Sequence, residues 1–467
     1  MSENWAFETK QIHAARQSDP VTGATSLPIY QSTSFEFPSV EEAQARFQVK
    51  KLGPIYTRLG NPTNDAVEGR IAALEGGVGA LLTSSGQAAQ TLAILNLASQ
   101  GNNIVASPSL YGGTANLFRH TLPRLGVEVR FVEDPRSRDQ WLEQADDKTV
   151  AFYGETIPNP QGDILDFEAV SGAAKTVGVP LIVDNTVATP YLCRPFEHGA
   201  DIVVHSATKY LGGHGTALGG FIVDSGKFDF GADPKRFPGF NEPDASYNGI
   251  VYAKDLGEDG PFGANVSFIL KARLQGQRDF GFSASPFNAF LIEQGIETLS
   301  LRMDRHVHNA QIVARYLENH PQVESVNYAG LESSPYHELA NKYLPKGPSS
   351  LLSFVIKGGF EPGRTFVDNL KLFAFVANLG DVRSLSVHPA STTHSQLSED
   401  ELAAAGIDQG TIRLSVGIEH ADDLIADLDA AFQAAAKVTA SESGVSAGSS
   451  ADSEATSGAS SPSETNI

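Results

Sequence analysis

The chain has 467 residues, 41% apolar and 19% charged, with a net charge of −21 and a pI near 4.9. That length suits two or three domains of roughly 100–200 residues each. The acidity disfavours a nucleic-acid backbone or an anionic membrane surface as partner, and the single cysteine, Cys193, excludes an internal disulfide framework and a cysteine-rich metal site. Residues 1–20 lack a hydrophobic h-region, and no window reaches about 18 apolar residues. Neither a secretory leader nor a membrane span is expected, and a cytoplasmic location is the default.

Residues 1–60 hold scattered aromatics (Phe7, Tyr30, Phe35, Phe37, Tyr56) without a strand–helix rhythm. They read as an N-terminal arm that packs on something else, a neighbouring subunit being one candidate. From Asn61-Pro62-Thr63, a helix start, the rhythm begins. Ala66–Leu74 is a helix and Ala80–Thr83 a strand. Ser85-Gly86-Gln87 opens a second helix with Ala88, Leu92 and Leu95 on one face. Strands follow at Asn103–Ala106, Val127–Val132 and Val150–Tyr153. A helix over Asp166–Val177 leads into Val179–Val183, and Asp201–His205 and Gly219–Val223 complete the set. Such alternation predicts an α/β fold with a mostly parallel sheet.

Residues 225–286 break the rhythm with Gly, Pro, Phe and Asp, and read as an ordered insertion with short helices, Phe268–Gln275 among them. Residues 288–319 are helical. Beyond them, shorter strands (Leu352–Ile356, Leu385–Val387, Thr411–Val416) and a closing helix, Asp422–Val438, suggest a smaller α+β domain. The expected organisation is an arm at 1–60, a large domain at 61–300, a small domain at 301–438 and a disordered acidic Ser-rich tail at 439–467.

The chemistry concentrates at 184–215. Asp184 follows one buried strand and Ser206-Ala207-Thr208-Lys209 follows the next, so an acid and a lysine sit beyond the carboxyl ends of successive strands, where open α/β sheets bind ligands. Small hydroxyls and glycines beside Lys209 can hold a phosphate, and a desolvated amine is a better nucleophile and base. A carboxylate for a pyridinium nitrogen, a lysine for an aldehyde and a helix N-terminus at Ser85-Gly86-Gln87 for a phosphate together describe a pyridoxal phosphate (PLP) site. Tyr111, beside flexible glycines after a strand, is placed to cover the ring. No P-loop or nucleophile elbow occurs. Gly77-Val78-Gly79 lacks the third glycine of a dinucleotide fingerprint, and no histidine set has metal-ligand spacing.

Tyr56-Thr57-Arg58, Ser85-Gly86-Gln87, Tyr111-Gly112-Gly113, Asn159-Pro160, Asp184-Asn185-Thr186, Ser206-Ala207-Thr208-Lys209 and Arg413-Leu414-Ser415-Val416-Gly417 occur in this order. As a set they resemble the Cys/Met-metabolism PLP-dependent enzymes over residues from about 8 to 436. The resemblance implies the aminotransferase-like fold type I, with a seven-stranded sheet and a smaller C-terminal domain. It implies that Lys209 bonds the cofactor aldehyde, Asp184 holds the ring nitrogen, Tyr111 stacks on the ring and Asn159 contacts its hydroxyl. Gly86, Gln87, Ser206 and Thr208 would bind the phosphate, joined by Tyr56 and Arg58 from a neighbouring subunit. Arg413 would pair with the substrate carboxylate, with Asn378 and Asn159 beside it, and Tyr56 and Tyr111 are secondary candidates for proton transfer.

Within the family, the long 225–286 insertion, Asn116 where cystathionine-handling relatives tend to carry arginine, and Gly113 where methionine γ-lyases tend to carry cysteine favour the sulfhydrylase branch. Asn378-Leu379-Gly380-Asp381 with the 388–394 run points the same way. The activity so implied, in methionine biosynthesis, is replacement of the γ-acetoxy group of O-acetyl-L-homoserine by sulfide. Cystathionine γ-synthase or γ-lyase activity is the near alternative, and a non-catalytic PLP-binding regulator the distant one. A homo-oligomer is implied, with a dimer-shared site and tetrameric assembly.

Overall fold

The computed structural model describes residues 4–16, 18–160, 162–392 and 408–448. Seven strands form the main sheet: β1 (Gly79–Thr83), β2 (Asn103–Ala106), β3 (Glu128–Phe131), β4 (Thr149–Glu155), β5 (Leu181–Asp184), β6 (Ile202–Ser206) and β7 (Gly220–Asp224). Their order is β1-β7-β6-β5-β4-β2-β3, and β7 alone runs against the others. The near-continuous apolar runs are explained by burial on both faces. Val183 and Val203 enter a cluster with Phe152 and Trp141, whereas Ile182 and Val204 enter another with Tyr153 and Phe268.

A second sheet has the order β10-β11-β12-β9-β8. Its strands are β8 (Val323–Asn327), β9 (Leu351–Ile356), β10 (Ala374–Phe375), β11 (Leu385–Val387) and β12 (Thr411–Ser415). The sequence reading misses β8, where residues 324, 325 and 327 are polar or charged and the burial pattern is weak, and β10, which has two residues. The architecture is α/β, with a mostly parallel seven-stranded sheet and a smaller mixed sheet.

Two expectations need correction. The arm contains helices Phe7–His13 and Val40–Phe47, and part of it docks on its own chain. Gln11 donates to Ser300 Oγ at 2.9 Å and accepts the Ser300 N–H at 3.1 Å, while Phe7 packs edge-on against Tyr191. The closing helix spans Ala421–Gly448, past the expected end at Val438, because propagation of an established helix costs far less than its nucleation. The remaining expected tail, 449–467, lies outside the described residues, as do Thr393 and His394.

The 225–286 insertion is ordered around stacked phenyl rings, Phe230 on Phe240 at 4.3 Å and Phe230 on Phe268 at 5.8 Å. Its expected helix at Phe268–Gln275 is an α-turn at Ser267–Lys271 continuing as a wide π-type segment over Ala272–Gln277. Among the described residues, no helix is long and apolar enough to cross a membrane.

The turn after Lys209 is held from behind. Arg302 donates to Tyr210 O at 2.7 Å, Leu211 O at 3.3 Å and Gly295 O at 2.7 Å. Gly295, in the helix Pro286–Ile296, lies against the same turn: a Cβ there would meet Gly212 O at 2.2 Å and Leu211 O at 2.5 Å. Backbone cannot give way as a flexible side chain can. Gly295→Ala is therefore expected to destabilise the protein by about 1–3 kcal/mol, read as a lower denaturation midpoint; an unchanged midpoint would contradict this packing.

Candidate active site

A cavity of about 210 Å³ opens at the carboxyl ends of the parallel strands and is closed by the second sheet. Gly86, Gln87, Tyr111, Asn159, Asp184, Ser206, Thr208, Lys209, Asn378 and Arg413 all line it. The structure therefore brings together every sequence-predicted site residue except Tyr56 and Arg58. Those two lie outside the cavity walls. Tyr56 is 43% exposed, and Arg58 donates to Arg278 O.

One end of the cavity is built for an anion. Ser85 caps the helix Gly86–Leu95 by accepting the N–H of Ala88 at 3.1 Å. The helix thus begins at the cavity wall, with the positive end of its dipole and its first N–H groups at that end. Close packing sets its position: a Cβ on Gly86 would lie 2.7 Å from Ser206 Cβ, so glycine is needed for the helix start to touch the tip of β6. The hydroxyl side chains of Ser206 and Thr208 complete this end.

Asp184 stands at the end of β5. Thr186 donates its N–H to Asp184 Oδ1 at 2.9 Å and accepts the Ser206 N–H on its hydroxyl at 2.7 Å. The Asp184 carboxylate opens onto the cavity but is enclosed elsewhere, and burial pushes its pKa up, against the opposing bonds of Thr186 and the field of His205. A cationic nitrogen beside it would favour the ionised form again.

Lys209 donates to Asn378 Oδ1 at 2.5 Å, and Arg413 donates to Asn378 O at 2.7 Å and Asn159 Oδ1 at 3.2 Å. Burial, with Arg413 nearby, lowers the Lys209 pKa to about 8, and burial lowers that of Arg413 to about 10. Arg413 is 7% exposed and its Nε is buried without a hydrogen-bond partner. A buried guanidinium donor without an acceptor suits a carboxylate ligand. The Asn378 loop is seated on the lysine itself: Gly380 has φ +76°, and a Cβ there would meet Tyr210 N at 2.7 Å and Lys209 C at 3.1 Å.

Tyr111 is 47% exposed on the cavity wall, and its N–H donates to Glu155 Oε1 at 2.8 Å. Its ring lies against Gly113, where a Cβ would come within 2.5 Å of Tyr111 Cε1. Glu155, Thr114 and Gln90, which the sequence motifs do not include, also line the cavity, as does Thr186. Glu155 was hidden because β4 was expected to stop at Tyr153, two residues short of its end. Gln90 accepts from Tyr153 Oη at 2.8 Å and Thr114 Oγ1 at 3.1 Å; its place one helical turn after Ser85-Gly86 was the available signal.

The donor set fits PLP: an acid at one end, helix N–H groups and hydroxyls at the other, a lysine of lowered pKa between, and an orphaned guanidinium donor for the substrate. These residues would hold the ring nitrogen, the phosphate and the aldehyde respectively. In the apoprotein, reaction of Lys209 with an aldehyde requires the neutral amine. Its rate should therefore rise with pH through about 8, not through the ordinary lysine value of 10.5. A midpoint near 10.5, measured by absorbance on adding PLP, would contradict the desolvated environment.

Comparison with known proteins points to the same cofactor. The model of the Cys/Met metabolism PLP-dependent enzyme family matches residues 8–433. An O-acetyl-L-homoserine sulfhydrylase from Leptospira meyeri is 51% identical over 433 residues, 92% of this chain and 97% of that one. One from Corynebacterium glutamicum is 53% identical over 431 residues, again 92% and 97%. A solved structure from Campylobacter jejuni, described as an O-acetylhomoserine (thiol)-lyase, superimposes with a TM-score of 0.87 at 44% identity. It covers 92% of this chain and 100% of that one, and holds N'-pyridoxyl-lysine-5'-monophosphate at position 205. The chain belongs to the Cys/Met metabolism PLP-dependent enzyme family.

Proposed function

We propose that this member of the Cys/Met metabolism PLP-dependent enzyme family catalyses γ-replacement, converting O-acetyl-L-homoserine and sulfide to L-homocysteine and acetate in methionine biosynthesis. The observation that carries the reading is the linked set Lys209–Asn378–Arg413 facing Asp184 across one cavity, in a chain about half identical to two sulfhydrylases over most of its length. The reaction is assigned to the cytoplasm.

PLP, when bound, supplies an electron sink for the charge left when the substrate Cα is deprotonated. Arg413 binds the substrate α-carboxylate through its free Nε and a second N–H, which fixes Cα within reach of Lys209. Lys209 Nζ would stand at the reacting carbon and move the α-proton; its pKa, lowered to about 8 by burial with Arg413 nearby, leaves neutral base available near physiological pH. Lys209 also serves proton transfer at Cβ as acetate leaves Cγ and sulfide takes its place, with Tyr111 and Tyr56 as secondary candidates. Asp184 would hold the positive charge of the ring nitrogen, and Asn159 and Asn378 would orient ring and substrate. Gly86, Gln87, Ser206 and Thr208 would hold the phosphate.

Specificity for a small acceptor is supported by residue 116. Asn116 is an exposed residue outside the cavity lining, so that position supplies no cation for a distal carboxylate. Sulfide should therefore give homocysteine with O-acetylhomoserine much faster than cysteine gives cystathionine. Faster turnover with cysteine, or with no acceptor, would move the enzyme to the cystathionine or γ-lyase alternatives. The succinyl and phospho esters should be poorer donors than the acetyl ester. Lys209→Ala should lower turnover by at least about 100-fold while PLP still binds non-covalently; near-normal turnover would sink the assignment.

Tyr56 and Arg58 lie outside their own chain's cavity, and we assign them to the phosphate end of a neighbouring subunit's site, in dimers that pair as a tetramer. Co-expressed Lys209→Ala and Arg58→Ala chains should then recover activity that neither has alone, because a hybrid dimer contains one intact site. No recovery in a purified hybrid would overturn the assignment of Arg58 to the neighbouring subunit's site.

A further inference from the structure

Glu155 ends β4, is 6% exposed, and pairs in register with Asp184 on β5. Neighbouring strands lie about 4.8 Å apart, so two carboxyl groups stand side by side on the same cavity wall. Like charges this close in a desolvated site do not both ionise, and one group keeps the proton.

The surroundings decide which. Asp184 accepts the backbone N–H of Thr186, with a further bond from the Thr186 side chain, and His205 favours its charge. Glu155 accepts the N–H of Tyr111 at 2.8 Å, and the Thr114 hydroxyl, whose proton goes to Gln90 Oε1, lies beside it. Burial first, then Asp184, push the Glu155 pKa well above the usual carboxylate range. The other groups around it are Tyr153 on its own strand, itself pushed up by burial and the two acids, and Lys209 and Arg413 lining the same cavity. A neutral carboxyl can still accept the Tyr111 N–H through its carbonyl oxygen.

We propose that Glu155 is a positioning residue of the cofactor site: as the neutral acid it anchors the backbone of Tyr111, and with it the aromatic wall, and leaves the negative charge to Asp184. The anchor is needed because Tyr111 begins a segment with two glycines, Gly112 and Gly113, and its N–H precedes the first turn of the helix Gly112–Asn116. The inference rests on the PLP reading above.

The test uses full-length holoenzyme carrying Glu155→Gln or Glu155→Ala. PLP affinity, visible circular dichroism of the bound cofactor, and the pH midpoint of its absorbance are measured beside thermal unfolding. Glutamine keeps a neutral acceptor, so E155Q should match wild type in all three cofactor readouts. E155A leaves the Tyr111 N–H without its acceptor, and should bind PLP about tenfold more weakly or worse, with altered dichroism. An E155Q enzyme that shifts the pH midpoint by about one unit or more, or whose affinity falls about tenfold, would show that an anion is required and overturn the proposal. Wild-type cofactor behaviour in E155A would overturn it also. If E155A does not fold, E155Q alone decides. Failure of the wild-type chain to bind PLP would instead sink the proposed function.

Discussion

Thr186 holds the two halves of the cavity together. Its N–H goes to Asp184 and its hydroxyl receives the N–H of Ser206, so the acid and the Ser206 backbone are fixed by one small residue between adjacent strand tips. That bridge depends on the register of β5 and β6, where Asp184 faces Val204. A slip by one residue would turn Asp184 to the opposite face and put an apolar side chain in its place. The register is in turn enforced by two buried faces, since Val183 and Val203 fill one core and Ile182 and Val204 the other.

Charge supplies the second constraint. Two acids, a lysine and an arginine share a small desolvated space. Burial pushes each toward its neutral form: Lys209 and Arg413 down, Asp184 and Glu155 up. Such an arrangement is costly for folding alone and suits a ligand that brings complementary charges, a cationic ring nitrogen for the acid and an anionic phosphate and carboxylate for the donors.

Several site residues were legible because their signals are local. The strand runs before Asp184 and Ser206, and the capped helix start at Ser85, are patterns of a few residues with one physical reading each. Glu155 escaped because strand ends are weakly marked: Gly154 interrupts the apolar and aromatic run, and the acid after it looks like the start of a loop. Gln90 escaped because a glutamine on a helix is ordinary until Tyr153 and Thr114 are seen donating to it. Arg413 was assigned by resemblance; nothing around it in sequence distinguishes it from a surface cation.

The strand–helix alternation, the strand tips that carry Asp184 and Lys209, and the family can be read along the chain, because hydrophobic periodicity and short motifs are properties of neighbouring residues. That Arg413 and Asn378, from the second sheet and its loop, meet Lys209 and Asn159 follows from the packing of the folded chain. It alone placed Glu155 next to Asp184 on the same cavity wall. Those relations depend on how the two sheets pack and on which strands lie side by side, and a parallel sheet joined by crossovers brings together residues whose separation along the chain gives no measure of their distance.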